Sequence, residues 1–342
     1  MFFDAVMAEQ RRKRTKRNLI FTLVVFAVVI GIGVVMVLIP SDDGGIARFA
    51  VGDTPPAPRV DRAGNAIELP PVVERAVSFG GAVTDIIAGL GAGDRLVGVC
   101  SGSGGICGLS GTHLVFDVAG IDGALVIGLQ PDAVFVHESA GLDAYVLQLL
   151  DGAGITVVHM PASENMFDIR SDILFLANIF DRWFEGYVLV SELNDTFDAL
   201  ESFGGMVASG AIENPGSIFF AVNKPGHSHL NEGTEALMAS FGSGVFLDEI
   251  ISIIGGENIF SAYQGWLVVS DEQVVAGNPD VIITNRVGHD PIGEIKSRPG
   301  WGDLNAVRNG RVHFVDTGLS SRNSHNIMYG INDILNALFP LS

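Results

Sequence analysis

The sequence predicts an α/β fold of two α/β lobes joined by a long interlobe helix and preceded by one N-terminal transmembrane helix. Short continuous apolar runs alternate with helical stretches in two series, one on each side of a single amphipathic stripe. Such runs are strands with helices on both sheet faces. Ahead of them, residues 19–39 are apolar or Gly except Thr22. At about 1.5 Å per residue that run crosses a hydrocarbon core of roughly 30 Å.

Charge orients the run. Residues 1–40 carry a net +4 and residues 41–342 a net −23. Arg11-Arg12-Lys13-Arg14-Thr15-Lys16-Arg17 precedes the apolar run, and Pro40-Ser41-Asp42-Asp43 follows it. Positive residues stay in the cytoplasm. Residues 1–17 therefore read as a cytoplasmic tail, 18–40 as a single-pass anchor in the cell membrane, and 41–342 as extracytoplasmic. A cleaved leader has a shorter apolar region and a small-residue cut site, which this stretch lacks.

Residues 41–58, rich in Gly, Pro and Asp, read as a linker. The first lobe spans 59–162. It opens with a hairpin turning at Gly64-Asn65, followed by strands at 76–79, 96–99, 133–137 and 156–159 and helices at 84–90 and 142–150. The interlobe helix spans 163–204, with Ser163 as N-cap. Ile173, Leu176, Phe180, Trp183, Tyr187, Val190, Leu193, Phe197 and Leu200 recur along it at steps of three and four, with a potential break near Asp181. The second lobe spans 205–342, with strands at 217–222, 281–284 and 312–315 and helices at 245–254 and 326–339.

Composition excludes several classes. The 342 residues are 48% hydrophobic and 17% charged, which excludes a disordered chain. An acidic body with two Lys beyond residue 40 lacks the basic face that nucleic acid needs. Cys100 and Cys107 exclude a disulfide-stapled mini-domain. Outside the cytosol they either pair across the Gly-rich 101–106 or remain free thiols.

Arg75-Ala76-Val77-Ser78-Phe79, then Thr84-Asp85-Ile86-Ile87-Ala88-Gly89-Leu90-Gly91-Ala92-Gly93-Asp94-Arg95-Leu96, resembles the opening of the substrate-binding proteins of ABC importers for vitamin B12 and ferric siderophores. Leu129-Gln130-Pro131-Asp132, Gly255-Gly256-Glu257-Asn258, Asn278-Pro279-Asp280 and Arg298-Pro299-Gly300-Trp301 follow in the family's order. The resemblance covers about residues 60–340. It implies a class III periplasmic binding protein that captures a metal chelate, a corrinoid or a ferric siderophore, between its lobes. The chelate, an iron or cobalt complex, is then handed to an ABC permease and its ATPase. It implies no enzyme and no covalent cofactor. Vitamin B12 carriers dock through one Glu per lobe. The matching positions here are Ala124 and near Gly244, so no docking pair is carried over.

Ligands of open α/β sheets bind beyond the carboxyl ends of the strands. That rule selects Gly80, Gly81 and Thr84 after the first strand, and His137 and Glu138 after the 133–137 strand. In the second lobe it selects Lys224 and His227, Tyr263 and Trp266, and Arg286. Gly lets backbone approach the ligand. Lys and Arg meet carboxylate or phosphate, and Tyr and Trp pack on flat rings. His227 and His229 also suit a free metal, so a Zn²⁺ or Mn²⁺ carrier of related fold is the alternative. A sensory domain without transport is another. No Gly-x-Ser-x-Gly nucleophile motif occurs.

Overall fold

The computed structural model describes residues 36–40, 46–50, 57–103, 105–109, 113–222, 237–286, 288–316 and 322–339. Strands β1 (Met36–Pro40) and β2 (Ile46–Ala50) pair antiparallel, Val37 opposite Phe49. This corrects the reading of 36–40 as the end of a helix. Val, Ile and Leu suit a strand as well as a membrane span, and Ser41-Asp42-Asp43-Gly44-Gly45 is turn-forming sequence. Residues 18–35 of the expected anchor lie outside the described residues. Among the described residues no helix is long and apolar enough to cross a membrane.

The first lobe is a five-stranded parallel sheet. Its strands are β3 (Ala76–Phe79), β4 (Leu96–Cys100), β5 (Leu114–Phe116), β6 (Ala133–His137) and β7 (Thr156–Met160), in the order β5-β4-β3-β6-β7. Its helices are α1 (Gly81–Gly89), α2 (Gly123–Gly128) and α3 (Ala144–Gly152). All four residues of β3 are buried, because both faces are covered. Val77 and Phe79 pack with Val126, Val146 and Leu150 from α2 and α3, while Ala76 joins the opposite core.

The stripe folds as two helices, α4 (Met166–Ile179) and α5 (Trp183–Ala208). They meet at Asp181, whose φ of +52° is left-handed, a conformation that Asp tolerates. Asn165, not Ser163, caps α4 by accepting from the Asp168 N–H at 3.0 Å. Ser163 instead donates to the buried Asp172 (2.7 Å), which also pairs with Arg62. Burial pushes the Asp172 carboxyl up, against the pull of Arg62 and Ser163. The 26 residues of α5 make a rod of about 39 Å at 1.5 Å per residue.

The second lobe has a parallel sheet in the order β10-β8-β12-β13, formed by β8 (Ser217–Ala221), β10 (Glu257–Asn258), β12 (Val281–Thr284) and β13 (Val312–Phe314). Strands β9 (Leu237–Phe241) and β11 (Trp266–Ser270) pair antiparallel beside it. Its helices are α6 (Phe246–Ile253), α7 (Asp271–Gly277), α8 (Pro291–Ser297), α9 (Asn305–Arg308) and α10 (Ile327–Leu338). One apolar core runs from Phe135 through Phe180 and Phe197 to Phe246, so α4 and α5 are shared between the lobes. Phe135 and Phe180 stand 5.5 Å apart, and Phe197 and Phe246 5.9 Å.

Candidate functional site

Sheet order locates the crevices. In the first lobe, β4 follows β3 on one side and β6 lies on the other, so the strand order reverses between β3 and β6. In the second lobe it reverses between β8 and β12. Side chains at the carboxyl ends of those pairs line the crevices of open α/β sheets.

In the first lobe, Gly80 follows β3 and His137 ends β6. Gly80 has φ +145° and packs so closely that a Cβ there would stand 2.3 Å from His137 Cβ. Only glycine fits on both counts. His137 is 9% exposed, and its Nδ1 accepts from the Ser139 N–H (3.2 Å) and lies 2.7 Å from the Ser139 hydroxyl. Burial holds its pKa below the ordinary 6.5, with Glu138 pulling the other way. Exposed Glu138 accepts from the Ala162 N–H at 3.1 Å.

Thr84 does not face the cleft. It is fully buried, donating to Ser78 Oγ (2.9 Å) or the Gly80 carbonyl (3.0 Å) and accepting from Ser103 Oγ (3.0 Å). It supports the lip from beneath, because a hydroxyl one turn into α1 points back at its own cap. Cys100 and Cys107 stand as free thiols in this structure. Cys100, buried, packs with Phe79 and Phe116, whereas Cys107 is exposed beyond the intervening turn.

In the second lobe, a cavity of about 540 Å³ opens at the ends of β12 and β13. Arg286, His289, Asp290, Ile292, Phe314 and Asp316 are among its lining residues. Arg286 is held 2.9 Å from Glu294. Asp290 caps α8, accepting from the Gly293 N–H at 2.9 Å. An apolar floor with a few polar groups, within the usual span of about 300–1,000 Å³, is what a small-molecule site needs. Tyr263 and Trp266 are exposed neighbours of Phe260 and Phe241 and do not line this cavity. Lys224, His227 and His229 lie outside the described residues. Among the described residues no group of three or more His, Cys, Asp or Glu is placed to hold a metal ion.

The chain leaves the second-lobe cavity and reaches the first lip within a few residues. Arg322 donates to the Gly102 carbonyl (3.4 Å), and its Nε borders Gly81 at the first lip. Asp316 lines the second-lobe cavity. Six residue steps separate them, at most about 20 Å of extended chain. Asp290, Phe314, Asp316 and Arg322 were not among the candidate site residues read from the sequence. Asp290 follows β12, the strand that selected Arg286, and the strand-end rule, applied to β13 as well, reaches Phe314 and Asp316.

Residues 221–317 match the family model "Periplasmic binding protein", a span that runs from the end of β8 past β13. The chain is 24% identical over 270 residues to the uncharacterized ABC transporter substrate-binding lipoprotein YvrC of Bacillus subtilis, covering 78% of this chain and 80% of that protein. It is 25% identical to the vitamin B12-binding protein of Yersinia pestis, over 62% of this chain and 69% of that one. This chain is similar to ABC-importer substrate-binding proteins. A periplasmic heme-binding protein from Pseudomonas aeruginosa shares the fold at TM-score 0.67 and 19% identity, over 79% of this chain and 94% of that one. The two-lobed periplasmic binding protein fold and the resemblance read from residues 60–340 are borne out.

Glycine at position 80 is a sharp test of the first lip. Gly80→Ala forces a Cβ into His137 at a φ disfavoured for side chains, at about 1–3 kcal/mol. We expect a folded protein with a displaced His137, seen as a shifted imidazole NMR resonance. An unshifted resonance contradicts the packing.

Proposed function

We propose that this protein is the extracytoplasmic substrate-binding protein of an ABC importer, tethered by its N-terminal segment. It captures a metal chelate between its lobes and delivers it to the permease. The observation that carries this reading is the 540 Å³ cavity at the carboxyl ends of β12 and β13, lined by second-lobe residues. A site of that volume suits a chelate better than a bare ion. The name of the Yersinia pestis relative supports a corrinoid, and that of the Pseudomonas aeruginosa structure supports an iron complex. The lipoprotein name of the Bacillus subtilis relative supports tethering at the membrane surface. Gly80, Gly81, His137 and Glu138 form one lip, Arg286 the other, with Tyr263 and Trp266 as aromatic flanks. Thr84 supports from below.

The test is titration of the full chain in detergent with cobalamin, haem, ferric siderophores, Zn²⁺ and Mn²⁺, read by tryptophan fluorescence. One chelate quenches and the free ions do not. Tight free-ion binding with no chelate response overturns the reading in favour of a metal carrier. Arg286→Ala weakens binding of an anionic chelate by about 1.5–3 kcal/mol, tenfold or more in Kd. An unchanged Kd removes Arg286 from the site.

A further inference from the structure

The segment 322–326 leads into α10, which packs on the second lobe: Arg311 donates to the Leu338 carbonyl at 3.2 Å, and Phe339 meets Phe203 at 4.8 Å. Yet the polar side chains of this segment bond into the first lobe and its edge. Arg322 donates to the Gly102 carbonyl (3.4 Å) and Asn323 to the Ser163 carbonyl (2.5 Å). Ser324 donates to Asp85 Oδ2, and Asn326 to both Asp85 oxygens at 3.0 and 3.1 Å. Asp85 is 3% exposed and belongs to α1. Between these anchors, His325 is 7% exposed and its ring lies over Gly89, where a methyl group would stand 2.4 Å from Cε1. Its Nδ1 has no hydrogen-bond partner.

We propose that residues 322–326 form a titratable latch between the lobes, which ties them together while His325 is neutral and lets go when the ring takes up a proton. An imidazolium donates from both nitrogens, and the seat offers Nδ1 no acceptor. A charged donor left buried and unsatisfied is costly, and that cost opposes the hydrogen bonds that hold the segment down. The charged groups facing the ring are Asp85 from α1 and Glu192 from α5. Both carboxylates favour the proton, but burial outweighs them and holds the ring below its ordinary 6.5. The unlatched state therefore binds more protons. The latch is intact above 6.5 and lost as pH falls below it. This inference does not depend on which chelate is carried.

Spin labels on the exposed, free Cys107 and on an Ala276→Cys change in α7 report the lobe-to-lobe distance in the full chain by pulsed EPR. The distribution is narrow at about pH 8, and it broadens and lengthens at about pH 4.5. In His325→Phe, which fills the seat without titrating, it stays narrow at both. In Asp85→Asn, with circular dichroism confirming the fold, it is broad at both. An unchanged wild-type distribution at the two pH values overturns the latch. So does a pH response that persists in His325→Phe.

Discussion

Replacing Trp301 by alanine is expected to destabilise the protein by about 3–5 kcal/mol, the range for truncating a large buried aromatic. Trp301 is fully buried on the outer face of the second-lobe sheet, edge-on to Phe219 at 5.8 Å. The Arg298 guanidinium lies 5.4 Å from its ring and is fixed by Asp271 at 2.7 Å. Truncation thus opens a cavity and removes the ring that Arg298 covers. The indole N–H has no hydrogen-bond partner, so it offsets part of what the ring contributes. Trp301→Phe keeps the edge contact and removes that orphan donor, and it costs less than half as much. Urea unfolding of the full chain, followed by circular dichroism, measures both. An alanine variant within about 1 kcal/mol of wild type shows that the outer face is not packed as described.

Trp301 also marks how far the sequence could be read. It was legible as part of Arg298-Pro299-Gly300-Trp301, a piece of the family pattern, but its place as the centre of a core was not. Strands fared better. The runs at 76–79, 133–137 and 281–284 match β3, β6 and β12 to the residue, because a strand buried on both faces is a continuous apolar run. Strands with an exposed face did not stand out. In β11, Trp266 and Val268 are exposed and Val269 is buried, and its antiparallel partner β9 was equally inconspicuous. The three-residue β5 is too short to show a period.

The cleft was half legible for the same reason. Gly80 and His137 follow strands that the sequence displays, and they meet because β3 and β6 are neighbours in the sheet, a fact of topology rather than of spacing. Arg322 reaches the first lip from more than 200 residues away in sequence, and no local pattern announces that return. Thr84 shows the converse. A polar residue just after a strand end reads as a ligand contact, but a helix that begins three residues earlier turns it inward.

Gly204-Gly205 reads as the stop of the interlobe helix, yet α5 runs through both to Ala208. Packing overrides propensity here. A Cβ at Gly204 would stand 1.9 Å from the Ile253 carbonyl oxygen, at the end of α6, so the two helices touch through bare backbone. Backbone cannot swing aside as a side chain can. Gly204→Val must therefore push α6 off the connector, at about 3 kcal/mol or more. Phe197 and Phe246, whose tilted rings lie 5.9 Å apart along the same seam, separate with it. Gly205 has nothing within 4 Å of its would-be Cβ. Gly205→Ala meets no obstacle and relieves the glycine penalty, raising stability by about 0.5–1 kcal/mol. Neighbouring glycines with opposite responses isolate the seam from helix propensity. Thermal unfolding of the two variants reads the difference directly. A Gly204→Val protein that melts with wild type shows that α5 and α6 do not meet there, and with that contact goes the rigid seating of the second lobe on the connector.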